Sequence, residues 1–438
     1  MARLTAITLM AFVGLLGATS PSAPLPPSVP GIDAPQLARL GPHSVGFRSV
    51  TLVHNAQPDL LNANPATGRV ELHARALTVD LWYPAKARRG AAPVSYSASL
   101  FGEPPRPAVH FNVRGLAIRN AAPDGKGYPL VILSHGYSNA PAVMTWLTEN
   151  LASKGYVVAA IHHEDPDPYV VSADKRAAPN FNRPVDIAFV AAKLRHDLGA
   201  LIDPAELALI GYSQGGYGVL TAGGASLDPD GPNMGQVAGG WIKRLARGAS
   251  TEAEGKVPGV GAIVAIAPAG GAPRSAWGNA GLRGITAPLL LIQGDADRTV
   301  DYQTGALADF ENTRNSDRYL LTYRQAGHQI ALSPAPAQMR SSLWDMDWFE
   351  DPIWRQDRVN AINLHFITAF LAINLKGDAS MSSFLTVPVE NAGDGVWNAP
   401  ADTPWGAYSP GGNDITLWKG FQRRHAQGIT LRHAAAGQ

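Results

Sequence analysis

The sequence predicts an α/β fold in which a mostly parallel, doubly wound sheet carries antiparallel strands at its N-terminal edge. Two observations predict this fold. Short continuous apolar runs alternate with segments of helical period, as in sheets whose strands are buried on both faces and joined by crossover helices. Earlier in the chain, two runs alternate apolar and polar residues with the period of half-buried strands.

The predicted antiparallel pair lies between Ser44 and Pro84, where a turn-rich segment, 55–68, separates the two alternating runs. We expect these runs to pair at an edge of the sheet. Residues 85–127 follow with many prolines and little periodicity, which predicts a long surface connection.

The parallel strands are predicted from apolar runs that mostly end near glycine, serine or acidic residues. Segments 144–154 and 183–201 have the apolar spacing of amphipathic helices and lie between successive runs. Ligands bind beyond the carboxyl ends of such strands, so functional residues are expected there. The runs are 129–133, 156–161, 207–210, 261–267, 288–292 and 319–323.

Composition excludes several classes of protein. The 438 residues contain 36 Lys and Arg against 35 Asp and Glu, and this balance lacks the basic footprint of a nucleic-acid binder. The chain has no cysteine, which excludes disulfides, thiol catalysis and cysteine-ligated zinc. Covalent catalysis would therefore need another nucleophile, and we expect neither a cofactor nor a metal.

The chain divides into four predicted segments. An apolar run, Leu4–Leu16, follows Arg3 and is shorter than the roughly 20 residues of a membrane-spanning helix. This pattern is typical of a signal peptide and predicts a secreted or periplasmic protein. The segments are a signal peptide, 1–23; a Pro-rich linker, 24–43; one α/β domain, 44–376, with a candidate cap insertion, 226–258; and a C-terminal extension wrapped on the domain, 377–438.

Gly211–Gly215 has the sequence G-x-S-x-G directly after a predicted buried strand and before a predicted helix. In this setting the motif forms a sharp turn that lifts the serine hydroxyl clear of the backbone. Glycines flank the serine because neighbouring backbones approach too closely for a Cβ atom. We therefore expect Ser213 to be a nucleophile.

A serine nucleophile needs a base and an acid that orients the base, in the chain order serine, acid, histidine. Three acidic residues follow the fifth parallel strand: Asp295, Asp297 and Asp301. We favour Asp297, because the preceding residues let the chain turn off the strand before this carboxylate. His328 follows the sixth strand and is the predicted base, whereas His365 lies in an apolar helical stretch and is expected to be packed.

Acyl transfer also needs backbone donors for the oxyanion that develops on the substrate. One predicted donor is the amide of Gln214, the residue after the nucleophile. The second should come from the loop after the first parallel strand, where the amides of Gly136 and Tyr137 are both candidates.

Two further clusters have less specific interpretations. His162 and His163, with the acidic residues of 164–167, resemble a metal site by composition, but adjacent residues on an extended chain point in opposite directions. We expect a strand-end loop at the rim of the pocket.

The aromatic residues of 344–354 are expected in the core or as one wall of an acyl pocket. The short basic run 419–425 is expected to form a solvated face rather than a membrane-binding one.

The motifs together resemble the α/β-hydrolase superfamily over roughly residues 44–376. The motifs that carry this resemblance are Gly-Tyr-Ser-Gln-Gly at 211–215, Ser-His-Gly at 134–136, Gly-Asp-Ala-Asp at 294–297 and Ala-Gly-His at 326–328. Segments 75–84 and 182–187 are similar to a secreted bacterial branch related to platelet-activating-factor acetylhydrolases and predicted dienelactone hydrolases. The loop 136–138, with Trp146 and 151–156, also resembles bacterial cutinases and polyester hydrolases.

The resemblance implies roles for five positions. Ser213 would be the nucleophile, Asp297 the acid and His328 the base, with the amides of Tyr137 and Gln214 forming the oxyanion hole. A dienelactone hydrolase proper would use cysteine, which this chain lacks, and a cutinase would lack the N-terminal hairpin, the insertion and the C-terminal extension.

The expected activity is that of a serine carboxylic-ester hydrolase acting through an acyl-enzyme. The substrate would be a small-molecule, lipid or polyester ester, and the sequence leaves the choice and the oligomeric state open. An amidase or lactonase on the same triad, and a catalytically silent binding protein of this fold, are the alternatives.

Overall fold

The computed structural model describes residues 25–64, 67–87, 90–271, 275–396, 416–422 and 424–438. The predicted signal peptide, 1–23, lies outside the described residues, so it stays a prediction.

Strands and helices alternate along most of the described chain. The strands are β1 (Ser44–Pro58), β2 (Leu72–Ala85), β3 (Ser95–Leu100), β4 (Val109–Arg114), β5 (Ile118–Arg119), β6 (Tyr128–Ser134), β7 (Val157–Ile161), β8 (Ile202–Tyr212), β9 (Ala262–Ile266), β10 (Leu289–Gly294), β11 (Arg318–Tyr323) and β12 (Ile429–Ala434). The α-helices are α1 (Thr145–Ser153), α2 (Ala173–Arg176), α3 (Pro179–Asp197), α4 (Gln214–Ala222), α5 (Gly278–Leu282), α6 (Ala308–Asn312), α7 (Leu343–Met346) and α8 (Gln356–Lys376).

Ten of the described strands form one sheet in the order β12-β11-β10-β9-β8-β6-β7-β2-β1-β5. Strands β6 to β11 are parallel to their neighbours within that block, whereas β2 pairs antiparallel with both β7 and β1. The predicted parallel sheet with N-terminal antiparallel strands is therefore confirmed. Because β6 to β11 run in one direction, their carboxyl ends lie along one edge of the sheet.

Helices cover both faces of this sheet. Along β6, Val131 and Leu133 pack into a core with α1 and α8, while Leu130 and Ile132 pack into a second core with α3 and α4. This alternation explains why the strand is a continuous apolar run, since both of its faces are buried. Within the described residues α8 alone is long and apolar enough to cross a membrane, but 83% of its apolar window is buried in the fold.

Residues 85–127 differ from the predicted surface connection. Here β3 and β4 pair into a separate two-stranded sheet whose Tyr96 and Phe111 are buried. The buried carboxylate of Glu149 accepts hydrogen bonds from the Tyr96 hydroxyl at 2.7 Å and from the amide of Ala117 at 3.0 Å. These long-range contacts order a segment whose prolines obscure its strand period.

The C-terminal extension contributes to the sheet itself. Strand β12 pairs antiparallel with β11, and the guanidinium of Arg318 donates to the carbonyls of Ala435 and Gln438 at 3.3 and 2.9 Å. Trp418 and Phe421 are buried against α8, where His365 is packed among aromatic rings. Burial lowers the pKa of His365 to about 3, so this imidazole is neutral.

Asp309 in α6 is the one described carboxylate whose two buried oxygens both lack a hydrogen-bond partner. Burial raises its pKa to about 8, far above the usual value of 3.8, so the folded protein holds a proton there at neutral pH. Between those two pH values the folded state binds more protons than the unfolded state, and stability falls as pH rises.

We expect Asp309→Asn to stabilise the protein relative to wild type, with a difference in melting temperature that is larger at pH 8 than at pH 5. The asparagine keeps the shape of the side chain but has no charge to lose or gain. Melting curves of both proteins at the two pH values check this, and a difference that shrinks at pH 8 would contradict it.

Candidate active site

The turn between β8 and α4 holds Ser213 in a strained backbone conformation, with φ 54° and ψ −117°. A Cβ atom at Gly215 would lie 1.9 Å from the carbonyl oxygen of Ser134, and one at Gly211 would lie 2.1 Å from that of Gly215. Only glycine fits at either position, as the motif predicted, because the turn sits directly on the end of β6.

Gly215→Ala is expected to destabilise the fold by about 3 kcal/mol or more, because the added methyl group meets a backbone carbonyl that has no room to move. The melting temperature should fall by about 5 °C or more.

Gly235→Ala is the matched control. Gly235 is exposed and a Cβ atom there has no neighbour within 4 Å. A similar loss of stability in both variants would contradict the steric explanation.

His328 lies between the serine and an aspartate. Its Nε2 is 3.0 Å from Ser213 Oγ, and its Nδ1 is 2.7 Å from Asp297 Oδ2. The ring of Tyr212 packs at 5.2 Å from the imidazole, and the Tyr212 hydroxyl donates to the His328 carbonyl at 3.1 Å. The imidazole is thus held in one orientation, with one nitrogen facing each partner.

Asp297 is itself fixed by the loop after β10. Its Oδ1 accepts hydrogen bonds from the amides of Thr299 and Val300, at 2.9 and 3.0 Å. Gln293 Nε2 lies 3.3 Å from Oδ2, the oxygen that faces His328. This carboxylate is 4% exposed, so its interaction with the imidazole is little screened by water.

The other two candidate acids have different partners. Asp295 Oδ1 accepts from the amide of Gln325 at 2.5 Å, and Asp301 Oδ1 accepts from the amide and hydroxyl of Thr304 at 2.9 and 3.0 Å. Both side chains are exposed. Of the three acids left open by the sequence, the structure brings Asp297 to His328.

The two predicted oxyanion donors lie at the ends of β6 and β8. Gln214 is the first residue of α4, so its amide has no partner within the helix. Tyr137 lines the cleft in the loop after β6. Neither amide donates to another group in the part of the chain that the structure describes.

Beneath this loop lies a buried arginine that the sequence analysis missed. Arg183 in α3 donates to the carbonyls of His135 and Gly136 and, at 2.5 Å, to the carboxylate of Asp165. The Asp165 Oδ2 also accepts from the amide of Ser138 at 2.9 Å. The sequence did contain a signal for it. Acidic residues follow His162 and His163, and since no metal was expected there, these carboxylates needed another cationic partner.

His163 connects the buried residues beneath the loop to the sheet. Its Nε2 lies 3.0 Å from Ser134 Oγ and its Nδ1 lies 3.1 Å from Asp186 Oδ2, while Arg75 binds Asp186 with two hydrogen bonds. Burial and the nearby Arg183 lower the pKa of His163 to about 3, so its imidazole is neutral. Burial alone would raise the pKa of Asp186, but Arg75 and the hydrogen bonds outweigh it and hold that pKa at about 2.

These contacts account for His163, whereas His162 Nε2 lies 2.7 Å from Asp80 Oδ2. No group of three metal-ligating side chains with suitable geometry is found among the described residues. The Ser134–His163–Asp186 arrangement resembles a triad in its contacts, but Ser134 is fully buried and cannot reach a substrate. It is a structural layer under the loop.

A cleft of about 440 Å³ opens above Ser213 and His328. Its walls come from the loop after β6, from Pro168 and Tyr169, and from a segment after His328 that includes Trp344 and Trp348. The predicted aromatic wall is thus present, whereas the neighbouring Phe349 and Trp354 are in the core.

The candidate cap, 226–258, contributes no residue to this cleft within the described chain. It packs instead against α3, where Trp241 contacts Phe181 edge to face. The segments that border the substrate space are shorter and lie elsewhere in the sequence.

The model of one protein family matches the chain. The family is described as platelet-activating factor acetylhydrolase, isoform II, and the match covers residues 37–196. A comparison with curated proteins found no match. Among solved structures, a ferulic acid esterase from Streptomyces cinnamoneus is 21% identical, covers 76% of this chain and 90% of its own, and has a TM-score of 0.50.

These matches confirm the α/β-hydrolase fold and the resemblance to platelet-activating-factor acetylhydrolases, and they support the predicted class of carboxylic-ester hydrolase. The family match contains the loop after β6 and Arg183, but it ends before Ser213. The roles of Ser213, Asp297 and His328 therefore depend on their geometry in this chain.

Proposed function

We propose that this protein is a secreted or periplasmic serine hydrolase that cleaves carboxylic esters through an acyl-enzyme intermediate. One observation carries the proposal: the continuous contact from Ser213 Oγ to His328 Nε2 and from His328 Nδ1 to Asp297 Oδ2, at the floor of an open cleft. At 3.0 Å, His328 Nε2 is close enough to take the proton of Ser213, and at 2.7 Å, Asp297 is close enough to orient the imidazole.

In the first half-reaction, His328 takes the proton of Ser213 as Oγ attacks the ester carbonyl carbon. The negative charge that forms on the carbonyl oxygen is stabilised by the amides of Tyr137 and Gln214. The tetrahedral intermediate collapses, the carbon–oxygen bond to the alcohol breaks, and His328 returns its proton to the alcohol that leaves. Ser213 then carries the acyl group.

In the second half-reaction, water replaces the alcohol. His328 takes a proton from water as the hydroxide attacks the acyl carbon, and it returns this proton to Ser213 as the acid is released. Asp297 holds the Nδ1–H tautomer throughout, which leaves Nε2 free to accept each proton. The carboxylate also stabilises the imidazolium that forms twice in each cycle.

The substrate is proposed to be an ester with an apolar or aromatic part. Tyr169, Trp344 and Trp348 offer ring surfaces along the cleft, and its volume suits an aryl or medium-length acyl group. Because the structural neighbour is a ferulic acid esterase, methyl ferulate belongs in the test panel beside short and medium p-nitrophenyl esters.

The test is stopped-flow hydrolysis of p-nitrophenyl acetate with a parallel panel of matched amides and lactones. We expect a burst of p-nitrophenol close to one equivalent, as an acyl-enzyme accumulates, and faster turnover of esters than of amides. Faster cleavage of amides or lactones than of esters would show that the protein is an amidase or a lactonase instead. Folded protein with neither turnover nor fluorophosphonate labelling would make it a binding protein.

Export is proposed from the N-terminal apolar run alone. Expression of the full chain in a bacterium should yield periplasmic or secreted protein whose mass lacks the leader. Full-length protein that stays in the cytoplasm would contradict the proposal.

A further inference from the structure

We propose that Arg183 and Asp165 are positioning residues for the oxyanion hole. Their ion pair fixes the peptide groups on both sides of Tyr137, so that the Tyr137 amide is held toward the reacting oxygen. This inference rests on the proposed function, in which that amide is a donor.

The first fixed peptide joins Gly136 to Tyr137. Its carbonyl oxygen accepts a hydrogen bond from Arg183 Nη2 at 3.2 Å and another from His135 Nδ1 at 2.7 Å. Because the carbonyl and the Tyr137 N–H belong to one planar peptide unit, fixing the oxygen also fixes the direction of the N–H. The amide of Asn139 donates to the same oxygen at 3.3 Å. Three donors on the oxygen, one of them charged, also polarise the unit and strengthen its N–H as a donor.

The second fixed peptide joins Tyr137 to Ser138. Its N–H donates to Asp165 Oδ2 at 2.9 Å, and the same carboxylate oxygen accepts from Arg183 Nη2 at 2.5 Å. Ser138 has a φ of 56°, a conformation that non-glycine residues adopt at a cost. One carboxylate oxygen therefore links the guanidinium to the strained side of the loop.

The ion pair is anchored to rigid elements. Arg183 is fully buried in α3, and its Nη1 also contacts Ser134 Oγ at 3.1 Å, at the end of β6. One turn further along α3, Asp186 binds Arg75 of β2. The contacts within the loop are thus supplemented by contacts to the sheet and to a 19-residue helix.

Stability alone does not explain this pair. Burial raises the pKa of Asp165 and lowers the pKa of Arg183 even though the two groups are paired. In both groups desolvation is the largest cause of the shift, and the cost of desolvating charges is high in buried ion pairs generally. A buried ion pair is weak evidence for stability, and the contacts of this one with the loop backbone point to a role in placing the loop.

The experiment compares kcat, KM and the inhibition constant of an arylboronic acid in wild type and Arg183→Gln. The boronate forms a tetrahedral adduct on the serine and places an oxygen in the oxyanion hole, so its affinity reports that hole. We expect kcat to fall about 100-fold and the boronate to bind weaker by a similar factor, with KM changed by less than about threefold. Active sites are counted by fluorophosphonate labelling run to completion.

Two further variants separate positioning from folding. Arg183→Lys keeps the charge with a smaller set of donors and should recover part of the lost kcat. The double variant Arg183→Met with Asp165→Leu removes both charges and so leaves no unpaired charge in the interior. We expect it to fold and still to lose about 100-fold in kcat.

Arg318→Gln is the matched control. Arg318 is a buried arginine that also donates to backbone carbonyls, but at the edge between β11 and β12. It should lower the melting temperature and leave kcat per labelled site unchanged.

The outcomes are distinct. A wild-type protein without turnover overturns the proposed function and this inference with it. An active wild type whose folded Arg183 variants keep kcat and boronate affinity overturns the inference alone. If neither Arg183→Gln nor the double variant folds, the pair is a requirement of folding and the positioning role is rejected.

Discussion

Ser213→Ala is expected to lower kcat for ester hydrolysis by about 10⁴-fold or more, with a melting temperature close to that of wild type. The alanine removes the oxygen of the proposed nucleophile, while the backbone of the turn keeps the neighbours that hold it. The initial burst with p-nitrophenyl acetate should disappear as well, because no acyl-enzyme can form.

Two serines serve as comparisons for this variant. Ser382→Ala changes an exposed hydroxyl that donates to a nearby carbonyl and should leave kcat unchanged. Ser134→Ala removes the serine that also contacts an imidazole, but this hydroxyl is fully buried, so we expect less than about a tenfold loss. A larger loss at Ser134 than at Ser213 would overturn the assignment of the nucleophile.

Asp297→Asn is expected to lower kcat by about 10³- to 10⁴-fold. The amide is nearly the same size, but it can donate to Nδ1 of His328 and so favour the tautomer whose Nε2 carries the proton. That tautomer cannot take the proton of Ser213. Steady-state rates on p-nitrophenyl esters from pH 6 to pH 9 measure the loss.

Asp301→Asn and Asp295→Asn are the matched controls, since the sequence left both acids open. Their carboxylates accept from Thr304 and from the Gln325 amide rather than from His328. Each should change kcat by less than about twofold. Loss of activity at either position with activity kept in Asp297→Asn would assign the acid differently.

The parallel sheet could be predicted from the sequence, because strands such as β6 and β9 are buried on both faces and form continuous apolar runs. The chain order of Ser213, the acid and His328 could be predicted as well, since each of these residues follows a strand whose end was predictable. The choice among three acids needed side-chain directions, which depend on the turn after Gly294.

The rest depended on contacts between residues distant in sequence. Arg183 is 47 positions from Gly136, and on the sequence alone it is one more basic residue in a helix. Tyr96 of β3 bonds Glu149, 53 positions later in the chain, and the prolines around β3 and β4 give no sign of this contact. The edge position of β12 depends on β11, more than 100 residues earlier in the chain.

The pairing of β6 with β8 sets the distance between the loop after β6 and the turn after β8. Ser134 lies opposite Gly211 in the last pair of these strands, and Tyr137 follows three residues after the first while Ser213 follows two after the second. A shift of one residue in this register would move the proposed oxyanion donor by about 3.3 Å relative to the proposed nucleophile. The distance between the Tyr137 amide and the Ser213 hydroxyl therefore depends on the alignment of these strands. If the proposed roles hold, substitutions that change which residues pair would lower activity without changing any residue of the cleft.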